Sequence, residues 1–177
     1  MAATLWLTGL PSSGKSTLGR ELAARQREHR EVEHLDGDVV RHDLFPELGF
    51  DKADRTENIR RIGRIATMLA SHDVLVIVSV IAPYSHARAE VRAEHERQGI
   101  DFVEVHVHAP VEVCASRDVK GLYARAERGE VTGLTGIGDV YEAPATPEVR
   151  VDTSVEGVDG CLRLIEKALA RKDRGLA

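Results

Sequence analysis

The sequence has few cysteines, few aromatic residues and no apolar run of membrane-spanning length. Its two cysteines, Cys114 and Cys161, have neither metal-site nor redox-motif spacing, so we interpret them as buried thiols. Aromatic residues make up only 4% of the 177 residues and form no base-stacking pattern. No apolar run approaches the ~18 residues of a membrane span, and the N-terminus has no signal-peptide pattern. These absences predict a cytoplasmic protein that binds neither membranes nor nucleic acid.

The overall charge is mildly negative. Lys and Arg number 24 against 29 Asp and Glu, which gives a net charge of −5 and argues against a broad basic surface for nucleic acid. Apolar residues at 42% and charged residues at 30% are typical of a soluble globular chain. The length corresponds to one domain, which we expect to span residues 1–177.

Strand-like and helix-like segments alternate along the chain. The predicted strands are "TLWLTG", "VEHLDGD", "VLVIVSVIAP", "DFVEVHV" and "VRVDT". The predicted helices cover about 15–29, 54–72 and 85–98, a short segment after Pro110, and 158–172. This alternation predicts an α/β fold in which a parallel sheet carries helices on both faces. Ligands bind such sheets at the carboxyl ends of the strands.

The stretch "GLPSSGKS", residues 9–16, matches the phosphate-binding loop pattern G-x-x-x-x-G-K-[ST]. Its glycines let successive N–H groups turn inward, and the helix that follows offers its positive end to phosphates. Lys15 adds a charge for the β- and γ-phosphates of a nucleotide, and the Ser16 hydroxyl is a ligand for Mg²⁺. The alternative, a glycine turn with a surface lysine, leaves the flanking strand and helix unexplained. We predict phosphate binding by Gly9, Leu10, Pro11, Ser12, Ser13, Gly14, Lys15, Ser16 and Thr17.

Two aspartates follow the second predicted strand in "LDGD". A carboxylate there faces the phosphate site, where it can orient an acceptor hydroxyl and accept its proton. This arrangement favours a small-molecule kinase over a motor or a switch, and the chain has no guanine-reading NKxD motif. The alternative for Asp36 and Asp38 is turn and N-cap chemistry.

Several longer strings point to one family. In order, "GLPSSGKST", "LDGDVVRHDL", "DRTENIRRIGRIA", "SVIAPY", "RDVKGLYARAERGEVTGLTGI" and "VYEAP" resemble adenylylsulfate kinases, from Leu5 to about Thr153. The resemblance implies a phosphate-loop α/β sheet with a mobile lid, approximately residues 118–138, and often a homodimer. It also implies transfer of the γ-phosphate of ATP, with Mg²⁺, to the 3′-hydroxyl of adenosine 5′-phosphosulfate, which gives PAPS.

The resemblance also assigns roles to individual residues. Asp38 and Lys15 match the catalytic positions, and Arg117 matches a residue that packs near the ATP base. The positions that match acceptor-binding residues are Asp36, Arg41, Phe50, Arg55, Asn58, Ile81, Lys120 and Leu134. The spacing of Arg55 and Asn58 places them on adjacent helical turns, facing the same way. For Arg60, Arg61 and Arg64 we favour a solvated helix face.

The departures from the family pattern are concentrated on the acceptor side. Leu134 replaces the usual phenylalanine, which removes one side of the aromatic sandwich around the acceptor's adenine and weakens binding unless something compensates. Ala82 replaces a common serine. The remaining departures are Val39, Asp43 and Gly138. They leave open a divergent enzyme that phosphorylates another nucleotide-linked hydroxyl, and a less favoured third reading is a non-catalytic nucleotide-binding regulator.

Overall fold

The computed structural model of the chain describes residues 3–173, in which a five-stranded sheet lies between two layers of helices. Residues 1–2 and 174–177 of the predicted single domain lie outside the described part. The strands are β1 (Ala3–Thr8), β2 (Val32–Asp36), β3 (Leu75–Ser79), β4 (Asp101–His108) and β5 (Val149–Asp152). The helices are α1 (Lys15–Gln26), α2 (Gly37–Leu44), α3 (Lys52–Ala70), α4 (Ser85–Arg97), α5 (Val111–Arg117), α6 (Leu122–Glu127) and α7 (Val158–Asp173).

All neighbouring strands are parallel, in the order β2-β3-β1-β4-β5. Leu5 of β1, for example, is in register with Ile77 of β3 on one side and Val103 of β4 on the other. Parallel neighbours cannot be joined by a tight turn, so the chain crosses over through helices. The predicted α/β fold with a helix-flanked parallel sheet is confirmed.

The sheet separates two apolar layers because successive side chains of a strand point to opposite faces. Leu5 and Leu7 of β1 pack with side chains of α1 and α7, whereas Trp6 packs with those of α3 and α4. All three are completely buried. Within residues 3–173, no helix is both long and apolar enough to cross a membrane.

The strand order defines where a ligand can bind. After β1 the chain builds β2 and β3 on one side, and it then returns to place β4 on the other side of β1. The loops that leave the carboxyl ends of β1 and its neighbours therefore diverge around a crevice. The loop after β1 is the predicted phosphate-binding loop, so the fold places this loop at the centre of that crevice.

Two helices were not predicted from the sequence. The sequence predicts that the second strand continues through Asp38, with turn and N-cap chemistry as the alternative. In the structure β2 ends at Asp36, which is the N-cap of α2, and its carboxylate accepts a hydrogen bond from the Asp38 amide at 3.1 Å. Helix α6 lies inside the glycine-rich segment that was expected to be a lid loop. The α3 helix begins two residues before the predicted start because Asp51 caps it, accepting from the amide of Asp54 at 2.8 Å.

The packing of α1 against the sheet makes a stability prediction at Gly19. A Cβ at this position would overlap Ser79 Oγ and lie 2.5 Å from Nε2 of His34, two atoms that are hydrogen-bonded to each other at 3.0 Å. We expect Gly19→Ala to lower the free energy of unfolding by about 1–3 kcal/mol, because overpacking outweighs the better helix propensity of alanine. Urea denaturation measures the change.

Gly160 of α7 provides the matched control. A Cβ there would meet only the flexible end of the Glu156 side chain, 2.5 Å from Oε2, which can move away. Gly160→Ala should leave stability unchanged or raise it by up to about 1 kcal/mol. Equal stability of the two variants would contradict the packing argument.

Candidate active site

A cleft of about 410 Å³ lies at the carboxyl ends of the strands, and it contains most of the predicted site residues. Its walls come from the phosphate-binding loop, the first turns of α2 and α3, the β3–α4 connection, the start of the predicted lid and the segment after β5. The predicted residues that line it are Pro11, Ser12, Gly14, Lys15, Ser16, Thr17, Asp38, Arg41, Phe50, Arg55, Asn58, Ile81, Arg117 and Lys120. A single space therefore joins the phosphate-binding loop to the predicted acceptor residues.

The phosphate-binding loop depends on its glycines for steric reasons. At Gly9 a Cβ would collide with the carbonyl oxygen of Val107, which belongs to the neighbouring strand β4. Gly14 has a φ of 101°, a left-handed conformation that precedes the first turn of α1. Gly9, Leu10 and Ser13 do not line the cleft. They form the turn beneath it, in which the amide of Ser13 donates to the carbonyl of Leu10 at 3.2 Å.

Lys15 is nearly buried, and its ammonium group donates to the carbonyl oxygen of Leu10 at 2.6 Å. Burial lowers the pKa of Lys15 to about 8, although the nearby carboxylate of Asp38 opposes this shift. The structure thus keeps a cation partly out of water inside the loop that is built to surround phosphates. An ammonium in such a place gains more from a phosphate than a fully hydrated surface lysine does.

Asp36, which we predicted to bind the acceptor, does not itself line the cleft. It forms an oxygen-rich corner with Ser16 beside this cation. Burial raises the pKa of the Asp36 carboxyl, but hydrogen bonds from the Ser16 side chain and the Asp38 amide outweigh it, so the net shift is downward. The carboxylate form is therefore favoured. Hard oxygen ligands of this kind fit Mg²⁺, which binds to one or two protein groups together with phosphates rather than in an all-protein cage. Residues 3–173 contain no group of three or more His, Cys, Asp or Glu side chains that could hold a metal ion.

Asp38 and Lys120 meet across the cleft. Asp38 lies in the first turn of α2, and Lys120 lies at the start of the predicted lid. The ammonium group of Lys120 donates to Oδ2 of Asp38, and both side chains are at least half exposed. An exposed ion pair of this kind is weak, so either side chain can leave it and bind a ligand instead.

The aromatic ring of Phe50 lies at the end of the cleft near α3. The guanidinium carbon of Arg41 lies 4.3 Å from the centre of the Phe50 ring, and Arg41 also donates to the carbonyl of Leu48 at 3.1 Å. The Phe50 side chain remains 73% exposed. A ring that is held from one side and open to solvent elsewhere can stack on a planar base.

Arg55 and Asn58 lie one turn apart on α3 and differ in the hydrogen bonding of their side chains. The Arg55 guanidinium donates to the Thr135 hydroxyl at 2.5 Å and to the carbonyl of Gly133 at 2.7 Å, so it holds the far end of the predicted lid. The Asn58 side chain is only 5% exposed, and its Oδ1 has no hydrogen-bond partner within the described residues. A buried polar atom without a protein partner at a cleft wall is available for a hydrogen bond from water or from a ligand.

Leu134 requires a correction. We expected it beside the base of the acceptor, but it is buried in an apolar cluster with Ala109, Cys114 and Tyr123 and does not line the cleft. The Leu10 side chain also packs against this cluster. An apolar side chain in a glycine-rich segment gains more from this burial than from exposure in a polar cleft.

The structure also reveals contributors that the sequence did not single out. Thr153, the first residue after β5, lines the cleft and accepts two hydrogen bonds from Arg117. Asp139 accepts a hydrogen bond from the Tyr84 hydroxyl at 2.7 Å, and it lies 3.7 Å from Nη1 of Arg55. The signal for Thr153 was its place at the carboxyl end of a parallel strand. For Asp139, no local pattern indicates the partner.

This geometry agrees with a comparison of the whole chain with known proteins. Residues 1–152 match the family model described as adenylylsulphate kinase. The chain belongs to this family. It is 52% identical to the adenylyl-sulfate kinase of Myxococcus xanthus, covering 92% of this chain and 88% of the relative, and 53% identical to that of Gloeothece citriformis, covering 88% and 87%.

A solved structure supports the family assignment. The chain is 39% identical to an APS kinase of Mycobacterium tuberculosis solved in complex with AMPPNP and APS. The TM-score is 0.92, and the alignment covers 96% of this chain and 98% of that one. Membership of the family confirms the prediction of an ATP-dependent phosphotransferase of the adenylylsulfate kinase type. It also removes the support for a non-catalytic regulator.

The pKa of Lys15 leads to a prediction about nucleotide affinity. The ammonium form attracts phosphate, so affinity is full only well below the Lys15 pKa of about 8 and falls as the pH rises through that value and the proton is lost. We expect the affinity for Mg·AMPPNP to be about tenfold weaker at pH 9 than at pH 7. Isothermal titration calorimetry at several pH values measures it.

The variant Lys15→Met serves as the control for this prediction. It should bind the nucleotide more weakly at every pH but show no change between pH 7 and pH 9, because the group that titrates is gone. The same pH dependence in the variant and the wild type would show that another group is responsible.

Proposed function

We propose that this chain transfers the γ-phosphate of ATP to the 3′-hydroxyl of adenosine 5′-phosphosulfate, which gives PAPS, with Asp38 and Lys15 as the catalytic residues. The observation that carries the proposal is the continuous cleft. The phosphate-binding loop forms one side, Phe50 and Asn58 form the other, and Asp38 also lines the cleft. A nucleotide donor and a nucleotide acceptor can therefore face each other across Asp38, as in-line transfer requires.

On the donor side, the loop of Gly9–Thr17 would surround the phosphates of ATP. The Lys15 ammonium, released from the Leu10 carbonyl, neutralises charge on the transferring phosphoryl group. Ser16 would hold Mg²⁺, and Asp36, which the resemblance assigned to the acceptor, would hold it too, directly or through water. The ion would supply positive charge that neutralises the phosphates. Arg117 then lies toward the nucleoside end of ATP.

Asp38 would act on the acceptor. Its carboxylate accepts the proton of the 3′-hydroxyl as the oxygen attacks the γ-phosphorus, and the bond to the β-phosphate oxygen breaks. For this the Lys120 ammonium must leave at least one carboxylate oxygen. The anionic phosphosulfate of the acceptor would give Lys120 a new partner. Because the ion pair with Asp38 is exposed, breaking it costs little free energy.

The remaining acceptor residues would bind and orient. Phe50 stacks on the adenine, Ile81 forms part of the wall, and the Arg41 guanidinium offers a planar fork for phosphate or sulfate oxygens. Asn58 Oδ1 accepts a hydrogen bond from the bound acceptor. The alternative of a different acceptor loses its main support, because Leu134, the residue that suggested it most strongly, lies away from the cleft.

The proposal extends to the setting in which the reaction occurs. We infer a single domain over residues 1–177 and a cytoplasmic location, as the sequence predicts, and a homodimer, as the family resemblance implies. The free, buried thiols of Cys114 and Cys161 are compatible with a reducing compartment. Residues 118–138 would close over the bound substrates as a lid, and Arg55 already holds the far end of this segment through its hydrogen bonds to Gly133 and Thr135.

The role of Asp38 can be tested with Asp38→Asn. The amide keeps the size of the side chain but cannot accept the proton, so kcat for PAPS formation should fall by about 10²-fold or more while the KM for ATP changes little. Product formation from Mg·ATP and adenosine 5′-phosphosulfate measures both.

Asp43→Asn is the matched control on the same helix. Asp43 is exposed, and the one hydrogen bond of its side chain in the described part of the chain goes to the adjacent His42. This variant should retain wild-type kinetics. Near-wild-type turnover of Asp38→Asn would remove Asp38 from the chemistry.

The unpartnered Oδ1 of Asn58 leads to two predictions, one for the stability of the free enzyme and one for acceptor binding. Asn58→Leu removes a buried polar atom without a partner, so it should leave the free enzyme as stable as the wild type or more so, by up to about 1–3 kcal/mol. It should also raise the KM for the acceptor at least tenfold, because the hydrogen bond to the ligand is lost. Thermal unfolding without ligand and acceptor titration measure the two effects. A variant that loses stability while its acceptor KM is unchanged would contradict the assignment.

A further inference from the structure

The position of Thr153 links three separate parts of the donor side. Its amide donates to the carbonyl of His108 at 2.9 Å, which fixes the residue to the end of β4. Its hydroxyl donates to the carbonyl of Ser13, inside the phosphate-binding loop, at 2.8 Å, whereas the carbonyl of His108 lies farther from it, at 3.3 Å. A Cβ at Gly14 would lie 3.5 Å from the Thr153 methyl group, so the side chain is also in close contact with that glycine.

The same hydroxyl receives a hydrogen bond from Arg117. Nη1 of Arg117 donates to Thr153 Oγ1 at 2.9 Å, and Nη2 donates to the Thr153 carbonyl at 2.6 Å. Two parallel bonds fix the plane of a guanidinium group as well as its distance. Within the described residues, both of these hydrogen bonds go to Thr153 and neither goes to a carboxylate, so the positive charge of Arg117 is not neutralised by this contact.

A hydroxyl can donate one hydrogen bond and accept two, and Thr153 uses both capacities. We propose that Thr153 is a positioning residue for the nucleotide donor, whose hydroxyl connects the phosphate-binding loop at Ser13 to Arg117. The connection fixes the distance between the groups that bind the phosphates and the cation near the nucleoside. Thr153 acts through Ser13 and Arg117. The inference rests on the proposed function only in assigning this end of the cleft to ATP.

The test compares Thr153→Val with Thr153→Ser. Valine keeps the shape and removes the hydroxyl, whereas serine keeps the hydroxyl and removes the methyl group. The dissociation constant for Mg·AMPPNP should rise roughly tenfold in the valine variant, since two hydrogen bonds, one of them charge-assisted, are lost. The serine variant should stay within about threefold of the wild type. The KM for adenosine 5′-phosphosulfate should not change in either.

Thr56→Val is the matched control. The Thr56 hydroxyl donates to the Lys52 carbonyl of its own helix at 2.8 Å, so the same chemical change there should leave AMPPNP binding unaffected. A double variant separates a direct effect from an indirect one. If Thr153 acts through Arg117, adding Arg117→Met to Thr153→Val should weaken binding by much less than the product of the two single effects.

The outcomes are distinct. Unchanged AMPPNP binding in Thr153→Val, a serine variant that binds as weakly as the valine variant, or equal losses on the donor and acceptor sides would each overturn the proposal. If the valine variant does not fold, the AMPPNP affinity of Arg117→Met provides the test. Unchanged binding in that variant would also overturn the proposal. If the wild type binds AMPPNP but makes no PAPS, the proposed function fails while the binding test of Thr153 still stands.

Discussion

The ammonium of Lys15 is held partly out of water near the carboxyl end of β1, and the surrounding loop and sheet hold it there. Desolvation of a cation is unfavourable, and it lowers the pKa of Lys15 to about 8. The fold tolerates it because the Leu10 carbonyl accepts a hydrogen bond from the ammonium and because the loop around it can curl only with glycine at positions 9 and 14. The binding of a triphosphate turns this unfavourable burial into a favourable interaction.

The position of the Lys15 ammonium also gives a reason for the complete burial of the central strand, β1. A loop that must hold its shape around a charge needs a rigid support, and β1 has a parallel neighbour on each side and a helical layer on each face. The support extends to Gly9, where the loop passes so close to the carbonyl of Val107 that no side chain fits. The precision of the site thus comes from the packing of the sheet beneath it.

Local patterns were sufficient to predict the phosphate-binding loop, the strands and the long helices, because the residues that determine them are near neighbours in sequence. Helix α2 was not predicted, since Asp36-Gly37-Asp38 fits a turn as well as it fits an N-cap. The placement of Leu134 was wrong for a different reason: its surroundings come from Ala109, Cys114 and Tyr123, and no spacing rule brings these together. The contact of Arg55 with Thr135 spans 80 positions and likewise depends on the complete fold.

The ion pair between Lys120 and Asp38 has a consequence for the enzyme when only ATP is present. A kinase with a competent base beside a bound triphosphate is exposed to futile hydrolysis, because a water molecule can take the place of the missing alcohol. With one oxygen of Asp38 engaged by the Lys120 ammonium, the carboxylate has one oxygen fewer to offer to a water molecule. Under the proposed function, an anionic acceptor that draws Lys120 away would free the Asp38 carboxylate as its own hydroxyl arrives, so that ATP would react with the acceptor rather than with water.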